Sequence, residues 1–171
     1  ANSFGNLAQR TLSLIFKNCE GYLPAIRGHN DDDNALLDLV GATVSQHIPA
    51  HYEDLAMSQG LESWMQAVFA CNAYVDVQAP WALKKTDPER METVLATLFI
   101  CIAQLAIAAL PIIPGSATKL LDQMGVPLDV RNFHAAGSHW YSPLAESNYQ
   151  IAQPVGLFPR LEIPAEEGTA A

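Results

Sequence analysis

Apolar residues recur at helical spacing through the first three-quarters of the chain. In residues 1–19, a stripe that returns every three or four positions consists of Phe4, Leu7, Ala8, Thr11, Leu14 and Ile15. The polar residues Ser3, Asn6, Arg10, Ser13 and Lys17 fall on another face. This pattern predicts an amphipathic first helix that begins at the first residue and ends before the Gly-Pro-containing residues 20–24.

A second helix is predicted to begin near residue 31. Asn30, or one of the three aspartates that follow it, can serve as the N-cap, and acidic residues in a first turn suit the helix dipole. The apolar face of this helix consists of Leu36, Leu37, Val40, Val44 and Ile48. Pro49 should kink it or split it in two.

A third helix is predicted over residues 61–78. Its inward face consists of Leu61, Trp64, Met65, Val68, Cys71 and Val75. Pro80 disfavours helical backbone at Ala79, so this helix should end near Gln78 and place Trp81 on a bend.

Asp87 and Pro88 form a strong start signal for a fourth helix that reaches about Leu110. Residues 94–113 are apolar apart from Thr97 and Gln104, and this length is about enough to cross a bilayer. A membrane-embedded bundle is therefore one alternative. The central Gln104 and the amphipathic neighbours favour the central helix of a water-exposed bundle instead.

A short fifth helix is predicted over residues 116–124, closed by Gly125 and Pro127. Prolines recur after it, and the helical pattern is lost. The fold prediction is all-α: an antiparallel bundle of about five helices with an irregular, Pro-rich C-terminal extension. We divide it into a helical domain at 1–126 and a tail at 127–171 that packs on the bundle, pinned by Val155, Leu157 and Phe158.

Composition and charge restrict the function classes. Half of the residues are apolar and 16% are charged, so the chain can bury a core. The net charge of −9 argues against sequence-blind nucleic-acid binding, but the acidic residues concentrate between residues 20 and 62, which leaves room for a local cationic site.

The three cysteines (Cys19, Cys71 and Cys101) lie in apolar helical patterns and suggest reduced thiols in a cytosolic protein. No signal peptide opens the chain, and a helical pattern already running at residue 1 suggests a piece of a longer protein.

Two groups of residues could form a binding site. Trp81 stands directly before Lys84 and Lys85, and an aromatic ring beside cations suits stacking on a nucleic-acid base; the alternative is a tryptophan that anchors the turn in the core. Asn6 and Arg10 share one helix face, where they could reach a base edge and a phosphate together or simply form a solvated polar pair.

The remaining polar clusters indicate ordinary structure. His47 and His51 have the spacing of helical metal ligands, but Pro49 lies between them and nothing supplies a third ligand. The stretch from Asn30 to Asn34 lacks the glycine and glutamate of an EF-hand loop and is better interpreted as a helix cap. His134 and His139 have no evident partner. No catalytic constellation is visible.

Three ordered motifs closely resemble the C-terminal helical domain of methionyl-tRNA synthetases, a class I family. They are Asn6–Arg10 in the first helix, the run from Asn72 to Lys85 that contains Ala79-Pro80-Trp81, and the Leu110-Pro111-Ile112-Ile113-Pro114 end of the apolar helix. The resemblance covers residues 4–126 and extends to residues 156–161.

This resemblance implies a module that recognises the CAU anticodon of methionine tRNAs. Trp81 corresponds to the tryptophan that stacks on an anticodon base, chiefly the first, and Pro80 shares the wall of its pocket. Asn6 and Arg10 correspond to the polar contacts. Lys84 and Lys85 as phosphate partners are inferred from their charge, and Asn72 is assigned a structural hydrogen bond.

The same resemblance describes a parent enzyme that joins methionine to tRNA with ATP, in the cytoplasm. This chain contains no ATP signatures, so it should need the missing catalytic domain for activity and no cofactor of its own. It also lacks an appended oligomerisation domain, and we expect a monomer that does not enter a membrane. The main alternative is a helical protein–protein interaction module without RNA binding, in which Trp81 anchors an interface.

Overall fold

The computed structural model describes residues 2–133 and 139–158, and helices dominate the first of these ranges. The first half of the chain contains α1 (Asn2–Asn18), α2 (Asp31–Ala42), a π-helical turn (Thr43–His47), α3 (Ile48–Glu53) and α4 (Met57–Gln78). The second half contains α5 (Pro80–Thr86), α6 (Pro88–Ala109), α7 (Pro114–Met124), a 3₁₀ turn (Leu128–Val130) and α8 (Tyr141–Glu146). The described residues form no strand, apart from an isolated bridge between Tyr22 and Gln150. The predicted helical bundle is confirmed.

Helix α6 is the centre of the bundle. The Asp87 carboxylate caps it by accepting a hydrogen bond from the Arg90 N–H at 3.0 Å, and Pro88 occupies its first turn, as predicted. Every residue from Thr93 to Ala109 is buried, and α1, α2, α4, α5 and α7 all contact the helix. By length and composition α6 could span a membrane, but 94% of its most apolar stretch is buried within the protein. It therefore has the burial of a core helix.

The second predicted helix is divided at Pro49. Asn30 caps α2 through a capping box, in which its side chain accepts from the Asp33 N–H and the Asp33 carboxylate accepts from the Asn30 N–H. The helix then widens into the π-helical turn, where the Ile48 N–H reaches the Thr43 carbonyl. Proline has no N–H to donate to the i→i−4 hydrogen bonds of an α-helix. A local change in the hydrogen-bonding pattern just before Pro49 is therefore expected.

Helices α4 and α5 meet at a sharp bend. Ala79 adopts a left-handed conformation (φ 44°, ψ 59°), and Pro80 then begins α5. The predicted end at Gln78 is thus confirmed. The predicted start was wrong, since α4 begins at Met57, and so was the inward orientation of Leu61, whose surface is 38% exposed. Leu61 borders an apolar cleft that is also lined by Trp64, Ile112 and Phe158.

The chain after α7 contacts the helices at several points. Gly125 ends α7 with a left-handed conformation (φ 67°), as its predicted role requires. The α8 helix was not predicted, and it buries Tyr141, whose hydroxyl donates to the Pro24 carbonyl at 2.7 Å.

The last described residues are held in three different ways. Leu157 is buried and Phe158 lies against Gly5 of α1. Val155, by contrast, keeps 67% of its surface exposed, and its backbone exchanges hydrogen bonds with the Gln123 side chain. The expectation that the Val155 side chain pins the tail was wrong. The division at residue 126 stays a prediction, and His134 and residues 160–161 lie outside the described residues.

Candidate nucleic-acid interface

Trp81 and Arg10 lie in contact, although they belong to distant parts of the sequence. Trp81 stands in the first turn of α5 and Arg10 on the exposed face of α1. The guanidinium carbon of Arg10 lies 4.4 Å from the centroid of the Trp81 ring, which is a cation–π arrangement. The ring remains 45% exposed. It does not fill the core, so the alternative of a buried anchor is wrong.

The other two tryptophans differ from Trp81 in their surroundings. Trp140 is buried against Phe99, and the indole N–H of Trp64 donates to the Leu105 carbonyl at 2.9 Å. Both therefore serve the packing of the bundle. Only Trp81, among the three, presents a large part of its ring to solvent.

Asp76 fixes the position of the Arg10 side chain. An Arg10 nitrogen, Nη1, donates to the Asp76 carboxylate at 3.0 Å, and the two side chains are 42% and 66% exposed. Such an exposed pair adds at most about 1 kcal/mol to stability. Its effect is geometric, since it holds the guanidinium over the ring. Asp76 was missed from the sequence, although its place one turn before Pro80 was a signal.

The other predicted site residues surround this contact along the same two helices. Asn6 lies one turn before Arg10 and is exposed, and its side chain forms no hydrogen bond with any described residue. Lys84 and Lys85 are exposed in the last turn of α5 and form no ion pair within the described ranges. Pro80 is buried at the start of α5, where its ring supports the backbone that carries Trp81.

A partly buried polar network connects the residues that flank α5. The Arg90 guanidinium donates to the Asp33 carboxylate, with Nη2 at 2.7 Å from Oδ1, and to the side-chain amide oxygen of Gln78 at 2.8 Å. Gln78 is the last residue of α4 and Arg90 lies in the first turn of α6, so the network brackets the helix that carries Trp81. The Tyr74 hydroxyl also donates to Asp33.

The network determines the protonation of its carboxyl group. Burial alone would raise the pKa of Asp33, but the hydrogen bonds from Arg90, Tyr74 and Asn30, together with the charge of Arg90, lower that pKa below its ordinary value. Asp33 is therefore ionised at neutral pH. From the sequence, Asp33 was predicted only as part of the helix cap, because its contacts with Tyr74 and Arg90 cross three helices.

The remaining candidates are structural. The Asn72 amide donates to the Val68 carbonyl one turn earlier in its own helix, at 2.9 Å, which agrees with the structural role assigned to it. His47, His51 and His139 belong to no metal-binding group within the described residues. Cys71 and Cys101 are buried free thiols, Cys19 is a half-buried one, and burial first, followed by the charge of Glu92, raises the pKa of Cys19 to about 11.

Comparison with known proteins identifies the family to which this chain is similar. Residues 23–162 match the family described as the anticodon binding domain of methionyl tRNA ligase. The chain belongs to this family. The predicted resemblance is confirmed, and the matched range includes Trp81 and the network around Asp33 but begins after Asn6 and Arg10.

The similarity to individual relatives covers α1 as well. The chain is 42% identical to a methionine–tRNA ligase of Mesorhizobium japonicum over 94% of its length, and 34% identical to one of Mycobacterium tuberculosis over 96%. It also superimposes on the free-state crystal structure of the M. tuberculosis methionyl-tRNA synthetase with a TM-score of 0.86 and 32% identity, covering 96% of this chain and 33% of that one. The chain thus spans about 30% of the length of the curated relatives.

Proposed function

We propose that this anticodon-binding domain recognises the CAU anticodon of methionine tRNAs. Trp81 stacks on an anticodon base, chiefly the first, while Asn6 and Arg10 make polar contacts with the bases and their backbone. Pro80 forms one wall of the stacking site, and Lys84 and Lys85 contact phosphates. Single-stranded loops are the usual targets of sequence-specific RNA recognition, because their bases can unstack onto aromatic rings.

The observation that carries the proposal is the contact between Arg10 and Trp81. Base stacking on an aromatic side chain contributes about 1–3 kcal/mol, and an adjacent guanidinium adds a charge that attracts phosphate. The Trp81 ring keeps 45% of its surface exposed with Arg10 already over it, so a base has access to the ring. The exposed amide of Asn6, which has no partner among the described residues, lies one turn away on α1, where it can test a base edge.

The domain is acidic overall, which limits what it contributes to tRNA binding. At a net charge of −9, it lacks the broad basic surface that supplies most sequence-independent affinity. We propose that the parent protein is a cytoplasmic, monomeric methionine–tRNA ligase that uses ATP, and that its catalytic region supplies the remaining affinity. The domain itself then reads the anticodon and carries no cofactor.

A direct test compares two anticodon stem-loops that differ at one base. The 171-residue chain is titrated with a loop that carries CAU and with a loop whose first anticodon base is changed, by isothermal calorimetry or fluorescence anisotropy. We expect tighter binding of the CAU loop, and Trp81→Ala should weaken it by about 1–3 kcal/mol because the stacking platform is removed.

Tyr22→Ala is a matched control for the loss of an exposed aromatic ring. Tyr22 is 43% exposed, close to the 45% of Trp81, and it lies in the turn after α1. This variant should bind both loops as the unchanged chain does. Equal affinity for the two loops, together with an unchanged affinity in Trp81→Ala, would reject the recognition mechanism.

A further inference from the structure

Helices α2 and α4 enclose an apolar groove that the proposed anticodon site does not use. The groove holds about 300 Å³ and opens on the α2 side of α4, whereas Arg10 contacts α4 from α1. Its walls and floor consist of Ala35 and Leu39 of α2, Ala73 and Val77 of α4, and Leu36 and Tyr74 beneath them. Each wall consists of two apolar residues that are four positions apart, which is about one helical turn.

The groove walls carry large apolar side chains that no other part of the described chain covers. Leu39 is 45% exposed and Val77 is 76% exposed, while Leu36 below them is buried. Paired aliphatic walls above a closed floor differ from isolated surface leucines, because they offer a partner a continuous concave apolar surface. A groove of this form between two helices is the usual receptor for the apolar face of a third helix.

Acidic side chains line the α2 side of the groove. Asp32 is one of its lining residues and accepts a hydrogen bond from Gln78. Asp31 and Asp38 lie on the same helix, within one turn of the wall residues, and are exposed. Within the described residues, these two carboxylates form no ion pair. A ligand that covers this groove therefore encounters an apolar floor and a negative rim.

We propose that this groove binds an amphipathic, basic helix of a partner protein. Leucine-like side chains at positions i, i+3, i+4 and i+7 of the partner fill the space between Leu39 and Val77, and lysines or arginines on its flanks pair with the acidic rim. The rim repels the phosphates of RNA. It also disfavours a second copy of this chain, which carries the same net charge of −9.

The test uses a labelled model peptide of leucine and lysine, about 14 residues or four helical turns long, with leucines at i, i+3, i+4 and i+7. Its affinity for the 171-residue chain is measured by fluorescence anisotropy. The groove variant Leu39→Ser/Val77→Ser should bind the peptide about tenfold or more weakly, because two apolar contacts at the centre of the interface are lost.

Matched variants distinguish peptide binding in the groove from a general attraction of the basic peptide to an acidic protein. The control Leu55→Ser/Leu128→Ser removes two leucines that are 83% and 80% exposed elsewhere, and it should bind within about twofold of the unchanged chain. Asp31→Asn/Asp38→Asn should weaken binding and reduce its dependence on salt. A peptide with glutamate in place of lysine should bind far more weakly.

Several results would overturn the proposal. They are an absence of peptide binding, an equal loss in the groove and control variants, and equal binding of a shuffled peptide that has the same charge but no amphipathic face. Self-association of the chain that Leu39→Ser/Val77→Ser abolishes would instead identify a second copy as the occupant. An anticodon stem-loop that loses affinity in the groove variant would identify RNA.

Discussion

The ion pair between Arg90 and Asp33 is expected to contribute more to stability than any other ion pair described in this domain. The Asp33 side chain is 0% exposed and that of Arg90 only 17%, whereas Asp76 and Asp122, in two of the other pairs, are more than 60% exposed. In Arg90→Met, a side chain of similar length fills the space but donates nothing. Asp33 then becomes a buried carboxylate that has lost its counter-charge.

The expected loss of stability in Arg90→Met depends on the hydrogen bonds that Asp33 keeps. Removing one partner of a buried ion pair typically destabilises a protein by about 3–5 kcal/mol. Asp33 keeps its hydrogen bonds from Tyr74 and from the Asn30 N–H, so we expect about 3 kcal/mol, at the lower end. For a chain of this size, that loss lowers the melting temperature by about 6–12 °C.

Urea denaturation followed by circular dichroism at 222 nm measures this loss. The double variant Arg90→Met/Asp33→Asn is the informative partner, because its buried amide no longer needs a counter-charge and should recover much of the stability. A loss below about 1 kcal/mol in Arg90→Met would refute the reasoning, and so would a double variant whose loss equals the sum of the two single variants.

Two further predictions concern the acidic residues around the site. Because the pKa of Asp33 in the folded state is lower than its ordinary value of 3.8, its contribution to stability is present above pH 3.8 and is lost as the pH falls through the folded-state pKa. The urea midpoint of the unchanged chain should therefore decrease in this acid range by more than that of Asp33→Asn, and parallel curves would contradict the assignment. Asp76→Asn should leave the melting temperature nearly unchanged, because its exposed pair with Arg10 adds at most about 1 kcal/mol. The new amide oxygen can still accept the hydrogen bond that positions Arg10, so the loss of a negative charge beside Trp81 should tighten binding of an anticodon stem-loop. Weaker binding in calorimetry would show that the neutral amide does not hold Arg10 over the ring.

Local signals in the sequence predicted the elements that depend on neighbouring residues. Asp87 and Pro88 specify the start of α6, because one supplies a cap and the other lacks the N–H that a first turn leaves unpaired. Pro80 specifies the end of α4, because its ring disfavours helical backbone at the preceding Ala79. Leu61 shows where such signals fail, since helical spacing places it on the inward face but cannot tell whether another element covers that end of the helix.

The site residues that carry a local or motif signal were found from the sequence, and those defined by contacts between distant residues were not. Asn6, Arg10 and Trp81 were found through the order of motifs in a family, and a tryptophan shortly before two lysines was a local signal of its own. Asp76 was missed because an aspartate on a helix face is ordinary until its partner is known. Asp33 was interpreted as a cap, which it is, while its contacts with Tyr74 and Arg90 depend on three helices meeting at one point.

The sequence by itself determined the helical class, the central position of the apolar helix, the bend before Trp81 and membership in an anticodon-binding family. These follow from periodicity, caps, prolines and motif order, all of which act over a few residues or are inherited as a pattern. Only the tertiary structure decided that Arg10 lies over Trp81, that Arg90 contacts both Asp33 and Gln78, and that α2 and α4 leave an apolar groove between them. Each of these depends on the distance between helices, and helix packing sets that distance through side chains far apart in the sequence.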